Sequence, residues 1–242
     1  MDPKERLIVA LDVDKYEEAQ KLVMNFKDYV GMFKVGKQLF THCGPKIIDF
    51  IKMKNSKVFL DLKYHDIPNT VAKASVEAIK LGVDMLNLHA LGGSRMMEEA
   101  RNAVQKIAKE LNIKKPKLVA VTVLTSIDDQ VLEEMGLNIK ASKLTENLAL
   151  LAKKAGMDGV VASGEDIKRI RELCGDEFII VTPGVRVDTI DQKDDQKRVV
   201  TPYEAIKKGA TYIVLGRTIL LKENPQLELE KILASIDNAL SL

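Results

Sequence analysis

Apolar and β-branched residues gather into short runs at Leu7–Val13, Met32–Lys37, Lys57–Lys63, Met85–Ala90, Lys117–Leu124, Gly159–Ser163, Phe178–Gly184 and Tyr212–Arg217. Between them lie longer stretches such as KYEEAQKLVMNF, TVAKASVEAIKLG, SRMMEEARNAVQKIAKEL and KLTENLALLAKKAG, whose apolar residues recur at i, i+3, i+4 and i+7. The first pattern predicts short buried strands and the second amphipathic helices. Gly82, Gly156 and Gly209 each follow a helical stretch, where a left-handed residue closes the last turn. TPYE, Thr201–Glu204, reads as an N-cap, a first-turn proline and a capping-box glutamate.

Eight strand–helix alternations in 242 residues predict an α/β fold, the (β/α)8 TIM barrel, with residues 1–242 as one catalytic domain. A doubly wound open sheet shares this alternation, and spacing alone does not show closure. No Pro-, Gly- or Ser-rich linker divides the chain.

Composition narrows the function. Hydrophobic content of 46% supports a large core, and the net charge of +2 comes without a long basic block. Nucleic acid and anionic membranes are therefore not expected partners. The opening apolar run, Leu7–Leu11, is too short for a secretion-signal core, and no other run approaches a membrane span. Cys43 and Cys174 suggest neither a metal site nor a disulfide framework. A cytoplasmic setting is the expectation.

Polar residues collect where the predicted strands end, and in such a barrel the C-terminal strand ends carry the chemistry. Asp12 ends the first strand, and Lys34 lies in the second. FLDLKYHDIPNT, Phe59–Thr70, brings Asp61 and Lys63 on the third and Asp66 just past it. Asp61 and Lys63 stand two apart, so on a strand their side chains share a face with Phe59, while Leu60 and Leu62 point to the helices. A surface ion pair is the plain alternative, worth at most about 1 kcal/mol, but a central strand predicts burial. A lysine among carboxylates keeps its proton, which makes Lys63 an ammonium able to donate a proton or stabilise negative charge, rather than a Schiff-base amine.

Further round the ring, the fifth strand supplies Thr122, Thr125 and Ser126, the seventh ends in TPGVR with Arg186, and the eighth in LGRT with Gly216 and Arg217. Two arginines beside glycines at adjacent strand ends predict a phosphate grip, with a short helix start facing the anion. The polar stretch over 186–201 reads either as a lid that closes over the ligand and brings Gln196 to the phosphate or as a plain surface loop. His89 is expected to be a hydrogen-bonded strand-end residue, and His42 and His65 have no evident partners. No metal-ligand spacing and no G-x-G-x-x-G fingerprint occur, so the expected chemistry uses no metal and no cofactor.

These residues carry a resemblance. DLKYHDIPNT, in order with IVALDV, FKVGKQLF, GVDMLNLHALGG, VAVTVLTS, VTPGVR, DDQKRV and IVLGRTI, resembles the orotidine 5'-phosphate decarboxylase family over nearly the whole chain. The resemblance implies decarboxylation of orotidine 5'-phosphate to UMP without a cofactor, in a homodimer. It implies that Lys63 protonates C6 of the pyrimidine and that Lys34, Asp61 and Asp66 complete a charged array. It implies that Asp66 and Thr70 reach the neighbouring subunit's site, that Asp12 and Lys34 bind ribose hydroxyls and that Thr125 faces the pyrimidine. Arg186, Gln196, Gly216 and Arg217 would hold the phosphate. No role is implied for 128–140. Related sugar-phosphate barrels, keto-gulonate-phosphate decarboxylase and hexulose-phosphate synthase, look similar around D-x-K-x-x-D but use Mg²⁺ held partly by an acid on strand two, where this chain has Lys34. A barrel that binds a phosphate ligand without turnover is the remaining reading, and intact Lys63 and Asp61 argue against it.

Overall fold

The computed structural model describes residues 2–186 and 200–241. The strands are β1 (Leu7–Ala10), β2 (Met32–Gly36), β3 (Val58–Tyr64), β4 (Met85–His89), β5 (Lys117–Val121), β6 (Gly159–Val161), β7 (Ile179–Thr182) and β8 (Tyr212–Leu215). Every neighbouring pair is parallel, and β8 pairs back onto β1 with Leu7 beside Ile213. The sheet is closed, which excludes the doubly wound alternative.

The helices are α1 (Tyr16–Phe26), α2 (Lys37–Cys43), α3 (Lys46–Met53), α4 (Pro68–Lys80), α5 (Gly93–Glu110) and α6 (Asp129–Glu134). They continue with α7 (Ala141–Lys154), α8 (Ile167–Cys174), α9 (Pro202–Lys207), α10 (Arg217–Leu220) and α11 (Pro225–Leu240). Their apolar stripes cover the outward faces of the strands, so Leu7, Val9, Phe33, Val35, Leu60, Leu86 and Leu88 share one core with Val23, Ile48, Ile79 and Val104. The inward faces form a second core from Ile8, Ala10, Met32, Phe59, Met85, Val119, Ile179, Val181, Tyr212 and Val214. Burial on both faces is why the strands read as continuous apolar runs. Among the described residues no helix is long and apolar enough to cross a membrane.

The predicted strands begin within a residue of the observed ones, and seven of the eight overrun their ends, whereas β3 runs one residue past the predicted Lys63, to Tyr64. Leu11, Val123 and Val185 stay buried after the ladder has stopped. Burial continues into the loops above the barrel, and hydrophobicity reports burial, not pairing. The capping box at Thr201 is present as expected, and it starts α9.

At the opposite rim a short motif repeats. Gly82-Val83-Asp84, Gly156-Met157-Asp158 and Gly209-Ala210-Thr211 each join a helix to a strand. The glycines sit at φ 79°, 76° and 105°, a backbone region that costs other residues energy. The middle residue is buried, and the third clips the preceding strand. Asp84 Oδ2 accepts from Val58 N–H at 2.8 Å, Asp158 Oδ2 from Leu118 N–H at 2.7 Å and Thr211 Oγ1 from Ile180 N–H at 3.1 Å. Each clip satisfies a backbone donor within the first two residues of its strand. Lys52 and Lys115 neutralise the two aspartates at 2.8 Å. Asp158→Ala is expected to cost about 1–3 kcal/mol, since it strands the Leu118 N–H. A lower urea midpoint at unchanged slope checks this.

Candidate active site

Period two along each of the first four strands takes the inward face from apolar to polar. Met32 is followed by Lys34, Phe59 by Asp61, Met85 by Asn87 and His89, and Ile8 and Ala10 by Asp12 just beyond β1. Parallel pairing places these ends together, because Ala10 aligns with Lys34 and Gly36 with Asp61. A cavity of about 250 Å³ opens at this end of the barrel.

Its charged floor is a chain of contacts. Lys34 Nζ lies 3.1 Å from Asp12 Oδ1 and 3.2 Å from Asp61 Oδ2, and Lys63 Nζ lies 2.6 Å from Asp61 Oδ1. The Asp61 side chain is 10% exposed and those of Lys34 and Lys63 are 12% and 25% exposed, which rules out a solvated surface pair. Burial pushes the Asp61 carboxyl upward, but Lys34 and then Lys63 outweigh it and hold the group below its ordinary value. Burial likewise opposes the charge on Lys34, and Asp61 and Asp12 overcome it, so the ammonium is held above its usual value.

Lys63 does not reach Asp61 by regular alternation. The register of β3 on β4 shifts between Leu60 and Tyr64, and Lys63 takes φ 52°. A non-glycine residue in that region is uncommon, and a bulge re-aims its side chain. Asn87 holds the distortion. Its side-chain oxygen accepts from Lys63 N–H at 2.8 Å, while its amide nitrogen donates to Asp61 Oδ1 at 2.6 Å. The sequence reading missed Asn87. The available signal was a lone amide in the apolar run MLNLH, on the inward face with Met85.

The other side of the cavity is formed by Thr125, Arg186, Gly216 and Arg217, after β5, β7 and β8. A Cβ on Gly216 would stand 3.3 Å from Asp12 Oδ2, so glycine there leaves that carboxylate its place.

Other expected residues lie elsewhere. Asp66 and Thr70 are exposed and do not line the cavity, and Asp66 Oδ1 accepts from Ile67 N–H at 2.6 Å. Thr122 donates to Val161 O at 2.9 Å, and Ser126 is exposed. Gln196, DDQKRV and nearly all of the loop expected over 186–201 fall outside the described residues. The expectations for His89 and His65 need correction. His89 Nδ1 is buried with no hydrogen-bond partner, and the His89 and His65 rings pair at 5.3 Å between centroids. The chain turn after β3 folds His65 back over the end of β4, a tertiary contact invisible to local pattern. Among the described residues no cluster of His, Cys, Asp and Glu could hold a metal ion.

Comparison with known proteins places the chain in one family. Residues 5–232 match the model of the orotidine 5'-phosphate decarboxylase / HUMPS family. The chain is 48% identical to orotidine 5'-phosphate decarboxylase of Geotalea daltonii over 235 residues, 97% of each chain. It is also 48% identical to that of Moorella thermoacetica over 238 residues, covering 98% of this chain and 94% of the relative. The crystal structure of the Lactobacillus acidophilus orotidine 5'-phosphate decarboxylase superposes with a TM-score of 0.84 at 37% identity, covering 96% and 98% of the two chains.

The histidine pair yields a pH test. Burial, then His65, Lys37 and Lys63, push the His89 imidazole down from 6.5 to about 4, against a smaller opposing pull from Asp61. Below 6.5 the unfolded chain takes up a proton that the folded ring refuses until about 4, so folding stability falls as pH drops through that window. In His89→Phe this contribution to the slope of urea midpoint against pH should vanish.

Proposed function

The chain belongs to the orotidine 5'-phosphate decarboxylase / HUMPS family, and from that premise we propose that it converts orotidine 5'-phosphate to UMP and carbon dioxide. The observation that carries the mechanism is the Lys63 ammonium, held 2.6 Å from an ionised Asp61 on the wall of the cavity. Loss of carbon dioxide from C6 breaks the carbon–carboxylate bond and leaves its electron pair on the ring carbon. The pyrimidine offers that pair no conventional sink, so fixed positive charge must stabilise it as it forms. Lys63 supplies the charge and then its proton to C6, and solvent reprotonates the amine. Asp61 meets the substrate carboxylate with like charge, a repulsion relieved as carbon dioxide departs.

In the same reading Asp12 and Lys34 bind the ribose hydroxyls and Thr125 faces the base. Arg186, Gly216 and Arg217, with Gln196, hold the phosphate, whose binding energy supports chemistry at the distant C6. The Mg²⁺-dependent sugar-phosphate barrels fit less well. Lys34 Nζ occupies the space between Asp12 and Asp61, at 3.1 and 3.2 Å, where a divalent ion would need both carboxylates.

The site is shared in a homodimer. Asp66 and Thr70 stand clear of their own cavity, and Ile67, next to Asp66 in the chain, is 66% accessible. A partner covering this face would receive Asp66 into its own charged array. The compartment is the cytoplasm, where the substrate and product of pyrimidine synthesis reside.

Loss of orotidine 5'-phosphate absorbance in the presence of a chelator tests the activity. Steady turnover is expected; turnover that appears only when Mg²⁺ is restored would favour the sugar-phosphate barrels. Lys63→Ala should lower kcat by at least about 10³-fold with the fold intact. Activity near wild type would remove Lys63 as the donor. Mixing Asp66→Asn with Lys63→Ala subunits should regenerate dimers with one intact site, and a mixture no more active than its components would refute sharing.

A further inference from the structure

Gly164 lies in the turn after β6 and is buried. Its backbone is outside the left-handed region, so alanine would meet no conformational strain there. Space is the constraint. A Cβ on Gly164 would overlap Val200 Cγ1 and stand 2.7 Å from Val200 Cβ.

Val200 has little freedom to withdraw. It pairs with Val185 in an isolated parallel bridge, and the two side chains are 6% and 2% exposed. The following residue, Thr201, is locked by its capping box, with Thr201 Oγ1 accepting from Glu204 N–H at 3.2 Å and Glu204 Oε2 from Thr201 N–H at 3.1 Å. The glycine's own turn is equally tied. Ser163 Oγ donates to Asp166 Oδ2 at 2.6 Å, Asp166 N–H to Ser163 O at 3.1 Å and Ala162 N–H to Val181 O at 3.1 Å. The Val200 carbonyl accepts from Arg186 N–H at 3.0 Å, and Arg186 lines the cavity. Gly164, Val200 and Arg186 therefore form one mechanical chain from the β6 turn to the anion side of the site.

We propose that Gly164 is a positioning residue for Arg186. The absent side chain lets Val200 seat against the β6 turn, and the Val200 carbonyl then fixes where the Arg186 backbone enters the cavity. This rests on the decarboxylase reading, in which Arg186 grips the substrate phosphate.

The test compares Gly164→Ala, Gly164→Ala/Val200→Ala, Arg186→Ala and Gly164→Ala/Arg186→Ala for kcat, KM and UMP affinity. Gly164→Ala should raise KM and weaken UMP binding roughly tenfold with kcat within about twofold, the mark of a displaced binding group. Removing Val200's bulk in the double variant should restore most of the loss. In the Arg186→Ala background Gly164→Ala should add no further loss, because residues acting through one another are not additive. An unchanged KM overturns the proposal, as does an effect of equal size with and without Arg186, which would mean general damage to the barrel top. If Gly164→Ala does not fold, Val200→Ile crowds the same contact from the other side. It must raise KM only while Arg186 is present, and any other result counts against the proposal. Wild-type turnover of orotidine 5'-phosphate tests the decarboxylase reading separately; without it, UMP affinity in the same variants still decides the coupling.

Discussion

One buried carboxylate organises the upper half of this barrel. Asp61 is surrounded by Lys34 at 3.2 Å, Lys63 at 2.6 Å and the Asn87 amide at 2.6 Å. Its two oxygens keep both ammonium groups at the cavity, and those cations keep it ionised despite burial. Such a cluster is sound only when complete, because removing one partner from a buried ion pair leaves a charge uncompensated, at a cost of about 3–5 kcal/mol. The low-dielectric setting that makes the arrangement vulnerable also makes a fixed ammonium effective against charge developing on a substrate.

The fold divides its labour between two ends. Asp84, Asp158 and Thr211 clip neighbouring strands where they begin, and those bonds serve closure. Where the strands finish, regularity is given up. β3 bulges, Lys63 adopts a left-handed backbone and Asn87 bonds the distorted segment on both sides. A strained backbone persists only where its surroundings over-determine it, and here they also aim the lysine. Gly164 extends the same logic to the opposite wall, where an absent side chain sets the position of an arginine it does not touch.

Pattern alone made the strand–helix alternation legible, though not the closure of the sheet, because burial on both faces gives each strand a continuous apolar run and the helices a clear stripe. The charged floor was legible too, since Asp12, Lys34, Asp61 and Lys63 break those runs where charge is costly. Four features were not. The bulge at Lys63 depends on register against β4, so equal spacing of Asp61 and Lys63 suggested ordinary alternation. Asn87 is a single amide in an apolar run, and its bonds to Asp61 and Lys63 join segments that local spacing does not connect. The His65–His89 pair and the fit of Gly164 under Val200 are contacts between distant segments, which no local window contains. The cross-subunit role of Asp66 and Thr70 came from resemblance rather than from pattern, and both residues are exposed in the single chain.

The state of Asp61 is the measurable centre of this account. Carbon-13 NMR of the side-chain carboxyl, assigned by its disappearance in Asp61→Asn, reports its titration in the folded protein. The expected resonance stays at the ionised position as pH falls through about 4, the range in which an ordinary aspartate takes up its proton. A carboxyl that titrates at or above that value would contradict the claim that the two neighbouring ammonium groups control it.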